Sequence, residues 1–135
     1  MRRAWRSWLG ALGCLTGAVQ AQGFLDYTGG LMVQDFDGLP KQGSFTLPAK
    51  GPFDFSAAPL SATGMEGWQF HANTGPKARF QVGAGIADIA TTASFGLPGD
   101  DDRALGAIAA ASYKSRTGLI LRNATGQTLT QVSLA

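Results

Sequence analysis

The feature that most limits what this 135-residue chain can fold into is a period-two alternation of apolar and polar side chains. In residues 67–72, Trp68 and Phe70 fall on one side of an extended chain, and Gln69 and His71 fall on the other. This repeat is typical of a β-strand with one buried face, because successive side chains of a strand point to opposite sides. Turn residues separate such stretches at regular intervals. The pattern therefore predicts an all-β, antiparallel β-sandwich.

Further stretches have the composition of strands. They are residues 31–36, 44–47, 78–82, 119–122 and 128–134. The polar loop 123–127 separates the last two, and its Gly126 can adopt a positive φ without steric cost. Residues 118–134 are therefore predicted to form a hairpin.

Three segments fit the strand pattern less well. Residues 83–92 and 104–112 are rich in alanine and can be read as helical, but flanking glycines and the lack of capping residues limit them to about one turn. Residues 49–64 contain Pro52 and Pro59 among small and polar residues. This composition predicts a long surface loop.

The N-terminus has the composition of an export signal. Three arginines precede a short apolar run at residues 9–19, and Val19 and Ala21 place small residues at the −3 and −1 positions of a signal-peptidase site. The run is shorter than the roughly 20 residues that a stable membrane-spanning helix needs. We therefore expect a signal-peptide helix over residues 1–21, a linker over 22–30 and the β-sandwich domain over 31–135.

Cys14 leaves a second interpretation of this region open. Residues 11–14 resemble a bacterial lipobox, in which the cysteine would be acylated and become the first residue. Leucine rather than alanine usually occupies the first lipobox position, so cleavage after Ala21 is the favoured interpretation. Cleavage there removes Cys14, and the remaining chain then has no thiol, disulfide or cysteine metal site.

The charge of the chain changes when the signal is removed. The whole sequence has 11 Lys and Arg against 9 Asp and Glu, and three of the arginines lie in the signal. The remaining 114 residues carry 8 basic and 9 acidic side chains, with no basic cluster. This balance argues against a nucleic-acid partner. The length is that of one domain, and no second apolar run predicts a membrane span after signal cleavage.

Catalytic and metal-binding patterns are weak. His71 is the one histidine in the sequence, and no Gly-x-Ser-x-Gly nucleophile motif occurs. Asp100, Asp101 and Asp102 form the one charge cluster, which could bind calcium with help from backbone carbonyls. A solvated turn explains the same three aspartates, and we favour it. We therefore expect no enzyme activity and no cofactor, with calcium as the one alternative.

Two aromatic residues are candidates for stacking on a sugar ring, namely Trp68 and Tyr113. Trp68 alternates in phase with Phe70, which favours a core position for its side chain.

Four segments together resemble a known module. They are residues 33–40, 67–70, 102–106 and 118–130. Their order and spacing resemble the N-terminal module of uncharacterised exported bacterial proteins, many of which carry a PEP-CTERM sorting tail. Some of those proteins continue into extracellular phosphoesterase or lamin-tail-like domains. The resemblance implies a jelly-roll-like β-sandwich outside the cytoplasm, and it transfers no catalytic residue.

The chain departs from this group at its C-terminus. Members of the group continue through further strands, whereas this sequence ends at residues 132–135 without a sorting tail. We expect a domain that is incomplete at its C-terminus; the alternative is a small complete sandwich that ends in an edge strand. Residues 128–135 lack charge and proline, which usually protect a sheet edge, so this segment is expected to self-associate.

These observations favour an exported, non-enzymatic structural or interaction module of the bacterial envelope or extracellular matrix. Extracellular polysaccharide or envelope proteins would be its partners, at the cell surface, outside the cell or in the periplasm. One alternative is a carbohydrate-binding sandwich, assisted by calcium, that uses Trp68 or Tyr113 and the turn at 100–102. A second alternative is the accessory N-terminal domain of an extracellular hydrolase or phosphoesterase.

Overall fold

The computed structural model describes residues 23–73, 78–84 and 90–133, which form nine strands and no helix. The strands are β1 (Leu25–Tyr27), β2 (Ser44–Thr46), β3 (Phe53–Asp54), β4 (Trp68–Ala72), β5 (Arg79–Gly83), β6 (Thr91–Phe95), β7 (Ala104–Ile108), β8 (Ser115–Leu119) and β9 (Leu121–Asn123). The all-β prediction is confirmed. The predicted signal helix, together with Cys14, lies outside the described residues.

The strands form three sheets. One has the order β2-β5-β6-β7, in which β5 and β6 are parallel and the other pairs antiparallel. A second has the order β3-β4-β8 and is antiparallel throughout. In the third, β1 pairs in parallel with β9, which follows β8 after a single residue.

The two larger sheets share one aromatic core. Phe70 of β4 and Phe80 of β5 are 1% and 0% exposed, and their ring centroids lie 5.9 Å apart. Phe55 lies against both, at 5.1 Å from Phe70 and 5.7 Å from Phe80. Each buried aromatic side chain removes a large apolar area from water, and so this cluster dominates the stability of the fold. The predicted inward faces of β4 and β5 are confirmed at Phe70 and Phe80.

The segment predicted as a surface loop is instead part of this core. Residues 49–64 contain β3, and Phe55, Leu60 and Ala62 in the same segment are buried. Pro52 and Pro59 interrupt regular pairing, but they do not prevent the aromatic and aliphatic side chains between them from turning inward. The loop prediction was wrong, because the apolar side chains of this segment are buried although its prolines and glycines favour a loop.

The predicted first strand does not form. Residues 31–36 pair with no other described strand, and the side chains of Leu31 and Val33 are 91% and 81% exposed. Phe36 has a φ of 66°, in the left-handed region that a strand cannot accommodate. This conformation begins a turn in which the Leu39 amide donates to the Phe36 carbonyl at 3.0 Å. The first strand of the described chain is instead β1, within the stretch predicted to be a linker.

The predicted C-terminal hairpin has only one of its two arms. Residues 119–122 lie almost entirely in β8 and β9, and Gly126 has the expected positive φ of 71°. Residues 128–133 are exposed and form no strand, so they do not make the sheet edge that the sequence predicts. The Asn123 side chain turns the chain away, because it accepts from the Thr125 amide at 3.1 Å and donates to the Gln127 carbonyl at 2.7 Å.

The alanine-rich segments contribute strands rather than helical turns in their described parts. Residues 104–108 are β7, and Thr91 and Thr92 begin β6. Residues 85–89 lie outside the described residues. Glycine and β-branched neighbours, together with pairing to β6, override the weak helical preference of alanine in 104–108.

Candidate functional site

A buried arginine organises the loop that contains the three adjacent aspartates. Arg103 is 2% exposed, and its guanidinium donates to the Ser94 hydroxyl at 2.8 Å, the Ser94 carbonyl at 2.7 Å and the Leu97 carbonyl at 3.0 Å. Its backbone amide donates to the Asp37 carboxylate at 3.2 Å. These bonds tie the loop after β6 to the start of β7. Sequence analysis missed this role, because an arginine that follows three acidic residues has the local signature of a surface charge.

The predicted calcium candidates lie in this loop but do not converge. The Asp102 amide donates to the Asp100 carboxylate at 3.3 Å, and Asp101 pairs with Lys41 at the surface. This hydrogen bond with Lys41 holds the pKa of Asp101 below its ordinary value. Within the described residues, no group of three acidic, histidine or cysteine side chains is arranged to hold a metal ion. The geometry of the loop is that of a solvated turn.

The Trp68 side chain lies at the boundary of the core. It is partly buried, packs against the buried cluster and meets the Phe36 ring edge to face at 5.1 Å between centroids. Its indole Nε1 is buried and has no hydrogen-bond partner among the described residues. An indole N–H normally finds a partner when it is buried. Trp68 is thus a core contact with an unused donor.

The second sugar-stacking candidate, Tyr113, is in the core. It is 8% exposed, and its hydroxyl lies 3.1 Å from the Thr92 hydroxyl and donates to the Arg79 carbonyl at 3.2 Å. A ring that is enclosed on this scale has no free face for a pyranose. Tyr113 therefore links β5 and β6 through its hydroxyl group, and its ring is not available to stack on a sugar.

The outer face of β4 is more covered than the alternation predicts. His71 is partly buried opposite Arg116 of β8. Gln69 is only 7% exposed, and its side-chain amide donates to the Gly23 carbonyl at 3.3 Å. The Gly23 amide in turn donates to the Asp54 carboxylate at 3.0 Å. The segment that leads into β1 therefore covers this end of the β3–β4 pair.

An exposed ion pair holds β1 against β9. The Arg122 guanidinium donates to the two Asp26 oxygens at 2.5 and 2.6 Å, and it also lies 3.9 Å from the centroid of the Phe24 ring. The hydrogen bond from Arg122 holds the pKa of Asp26 below its ordinary value. The same contact raises the pKa of Arg122. This pair is bidentate, which is the geometry in which a surface ion pair has the most orienting effect.

Among the described residues, β8 is an edge strand of its sheet. Ile120 donates its amide to the Gly67 carbonyl at 2.9 Å, and its carbonyl accepts from the Leu25 amide at 2.9 Å. The backbone groups of one strand residue point to the same side, so even-numbered residues bond β4 and β1. The odd-numbered residues 115, 117 and 119 then direct their amides and carbonyls away from the sheet. β8 is the last strand of the β3-β4-β8 order within the part of the chain that the structure describes.

Comparison with models of known protein families, with curated proteins and with solved structures gave no match for this chain. Within the described ranges, no helix is long and apolar enough to cross a membrane.

Proposed function

We propose that this protein is an exported, non-enzymatic structural or interaction module of the bacterial envelope or extracellular matrix, folded as a jelly-roll-like β-sandwich in which most strand pairs are antiparallel. The observation that carries the interaction role is the outer edge of β8, where the backbone groups of residues 115, 117 and 119 have no hydrogen-bond partner among the described residues. Such edges are templates for pairing with another chain. The arginine-rich start and the Val19-Gln20-Ala21 sequence support export.

Several of the polar and charged side chains hold the fold together. Arg103 and Tyr113 are buried and hydrogen-bonded, and Asp26 and Asp101 are paired with cations at the surface. Asp54 accepts from the Gly23 and Ser56 amides. Groups engaged in this way are positioned for structure rather than for proton transfer. This supports the non-enzymatic proposal.

The resemblance to the N-terminal module of PEP-CTERM-associated exported proteins is part of the same proposal. In that group the module lies outside the cytoplasm, and the motif at residues 102–106 contains the buried Arg103. Arg103 fixes the loop through three side-chain hydrogen bonds. This structural role can account for the motif without any catalytic function. The resemblance therefore agrees with a scaffolding function.

The carbohydrate-binding alternative depends on Trp68. Its indole donor is buried without a described partner, which a sugar hydroxyl could satisfy if the Phe36 turn opened. Tyr113 does not add a second stacking surface, because it is 8% exposed. Sugar sites usually combine an accessible aromatic face with several polar groups. We therefore keep the structural or interaction module as the leading proposal.

Export is tested by expressing the full chain in a bacterial host and fractionating the cells. We expect the protein in the periplasm or the medium, with an intact mass that corresponds to loss of residues 1–21. A Cys14→Ser variant should be processed identically. A product retaining residues 1–21 in the cytoplasm would overturn the export proposal, and an acylated product beginning at Cys14 would show that the lipoprotein interpretation is correct.

The choice between an interaction module and a carbohydrate-binding module is tested on a glycan array, with and without calcium. The leading proposal predicts no specific glycan signal in either condition. Specific binding that is lost in Trp68→Phe, with the melting temperature of the variant close to that of the parent, would establish the alternative.

A further inference from the structure

We propose that the free edge of β8 pairs with the same edge of a second copy of this chain, antiparallel and with Thr117 on the two-fold axis. This inference deepens the proposed interaction role and rests on it, because it names the partner. It concerns β8, Ser115–Leu119, whose outward backbone groups have no strand beside them among the described residues.

The order of residues in β8 favours this arrangement over the other ways of pairing two copies. An antiparallel pair centred on Thr117 places Ser115 opposite Leu119 and Arg116 opposite Gly118 of the second copy. A parallel, in-register pair would instead place Arg116 opposite Arg116, and like charges directly opposite are destabilising. Arg116 is the one charged residue in the strand, and its antiparallel neighbour is the smallest residue available. The pattern therefore favours a symmetric antiparallel dimer.

The backbone geometry agrees with this centre. Because residues 115, 117 and 119 direct their amides and carbonyls outward, the 117–117 and 115–119 positions are all hydrogen-bonded pairs, with about six new bonds in total. A centre at residue 116 would keep these outward groups paired but place the two Arg116 side chains directly opposite each other. A centre at residue 118 would leave Ser115 without a partner in β8 and form about four bonds within the strand instead of six. The two three-stranded sheets would join into one continuous sheet.

Inward-facing side chains of β8 and β7 are exposed, which indicates that another part of a protein covers them. Thr117 is the cross-strand partner of Phe70, so it shares the inward face with that buried ring, yet Thr117 is exposed. Ala107 lies on the inward face of β7, because its partner Thr92 aligns with Phe80, and Ala107 is also exposed. The core is thus open to solvent on the side where β7 and β8 end their sheets. A second copy would cover this side.

The test is the oligomeric state of the full chain with Cys14→Ser, measured by light scattering after gel filtration over a range of concentrations. We expect a concentration-dependent dimer. Thr117→Pro removes an amide that faces away from β4, so the sheet keeps its internal bonds while the edge loses its central donor. This variant should be monomeric with a cooperative melt. The matched control, Thr130→Pro in the exposed segment 128–133, should remain dimeric.

Cross-linking provides a measurement that does not require proline. In the proposed dimer the two Thr117 Cα atoms lie about 5.5 Å apart, within the range that a disulfide bridges. Thr117→Cys should therefore form a covalent dimer under mild oxidation. Arg116→Cys should not, because the offset from its symmetry mate is about 8 Å.

Three results would overturn the inference. They are a monomeric parent at all concentrations, a dimer that survives Thr117→Pro, and equal cross-linking of the two cysteine variants. The first would leave the export and interaction proposals standing, since a different partner could use the edge. A dimer with the expected cross-link in a protein that stays in the cytoplasm would support the inference and contradict the export proposal.

Discussion

Replacing Arg103 with methionine tests how much the buried guanidinium contributes to stability. Methionine retains an unbranched apolar stem of similar length but cannot donate hydrogen bonds. The change leaves the Ser94 carbonyl, the Ser94 hydroxyl and the Leu97 carbonyl without their donors. Each buried polar group that loses its partner costs about 1–3 kcal/mol. Relief of the desolvation of the charge offsets part of this loss, so we expect a destabilisation of about 3–5 kcal/mol.

The assay is urea unfolding followed by tryptophan fluorescence, with thermal melts as a second measurement. A domain of this size has about 5–15 kcal/mol in total, so a loss of about 3–5 kcal/mol is easily resolved. Arg79→Met is the matched control, because that side chain is exposed on β5, and its free energy of unfolding should stay within about 0.5 kcal/mol of the parent. If Arg103→Met also falls within about 1 kcal/mol, the guanidinium is dispensable and our account of this loop is wrong.

Three further predictions concern other contacts of the fold. Trp68→Ala should lower the free energy of unfolding by about 3 kcal/mol, since it removes the ring that packs on Phe36 and the core; an unchanged urea midpoint would contradict this. Gly67→Ala should loosen β1 and speed amide exchange at Leu25, because a Cβ would lie 2.6 Å from the Leu25 nitrogen and φ is +78°; Gly118→Ala, where nothing lies within 4 Å, is the control. The lowered pKa of Asp26 means that the ion pair stabilises the fold above the ordinary carboxyl pKa and is lost as the pH falls below about 4. Asp26→Asn should therefore have a shallower loss of stability with acid than the parent, and identical pH profiles would show that the pair contributes nothing.

What could be predicted from the sequence was the part of the fold that depends on local alternation. Phe70 and Phe80 lie inward because strands with a period of two have one buried face, whichever strands they pair with. The pattern failed at residues 31–36, where Leu31 and Val33 alternate correctly but no strand of the described residues pairs with them. Alternation predicts which side of a strand is buried, but it does not predict whether a partner strand exists.

The remaining features depend on contacts between distant residues. Phe55 is buried because β4 and β5 carry rings that contact it, and the apolar side chains of residues 49–64 do not by themselves identify these partners. Arg103 is buried because the Ser94 and Leu97 carbonyls, six to nine positions earlier, converge on it. The free edge of β8 is defined by the order of strands in the sheet, which no local pattern specifies. The candidate site therefore came from topology rather than from a motif.

The pairing of β1 with β9 constrains when the proposed signal can be removed. Gly23 is already bonded to Asp54 and Gln69, only two residues after the predicted cleavage point, and two residues span about 7 Å of extended chain. If residues 1–21 are a signal, the bond after Ala21 would lie beside the docked segment, and a peptidase that needs extended chain around this bond would have to act before β1 docks. β1 can pair only after β9 has been made, because the Arg122 that bonds Asp26 lies 96 positions further along the chain. The first strand to leave the membrane would then be the last to join the fold, and maturation by the peptidase would become the step that permits the domain to close.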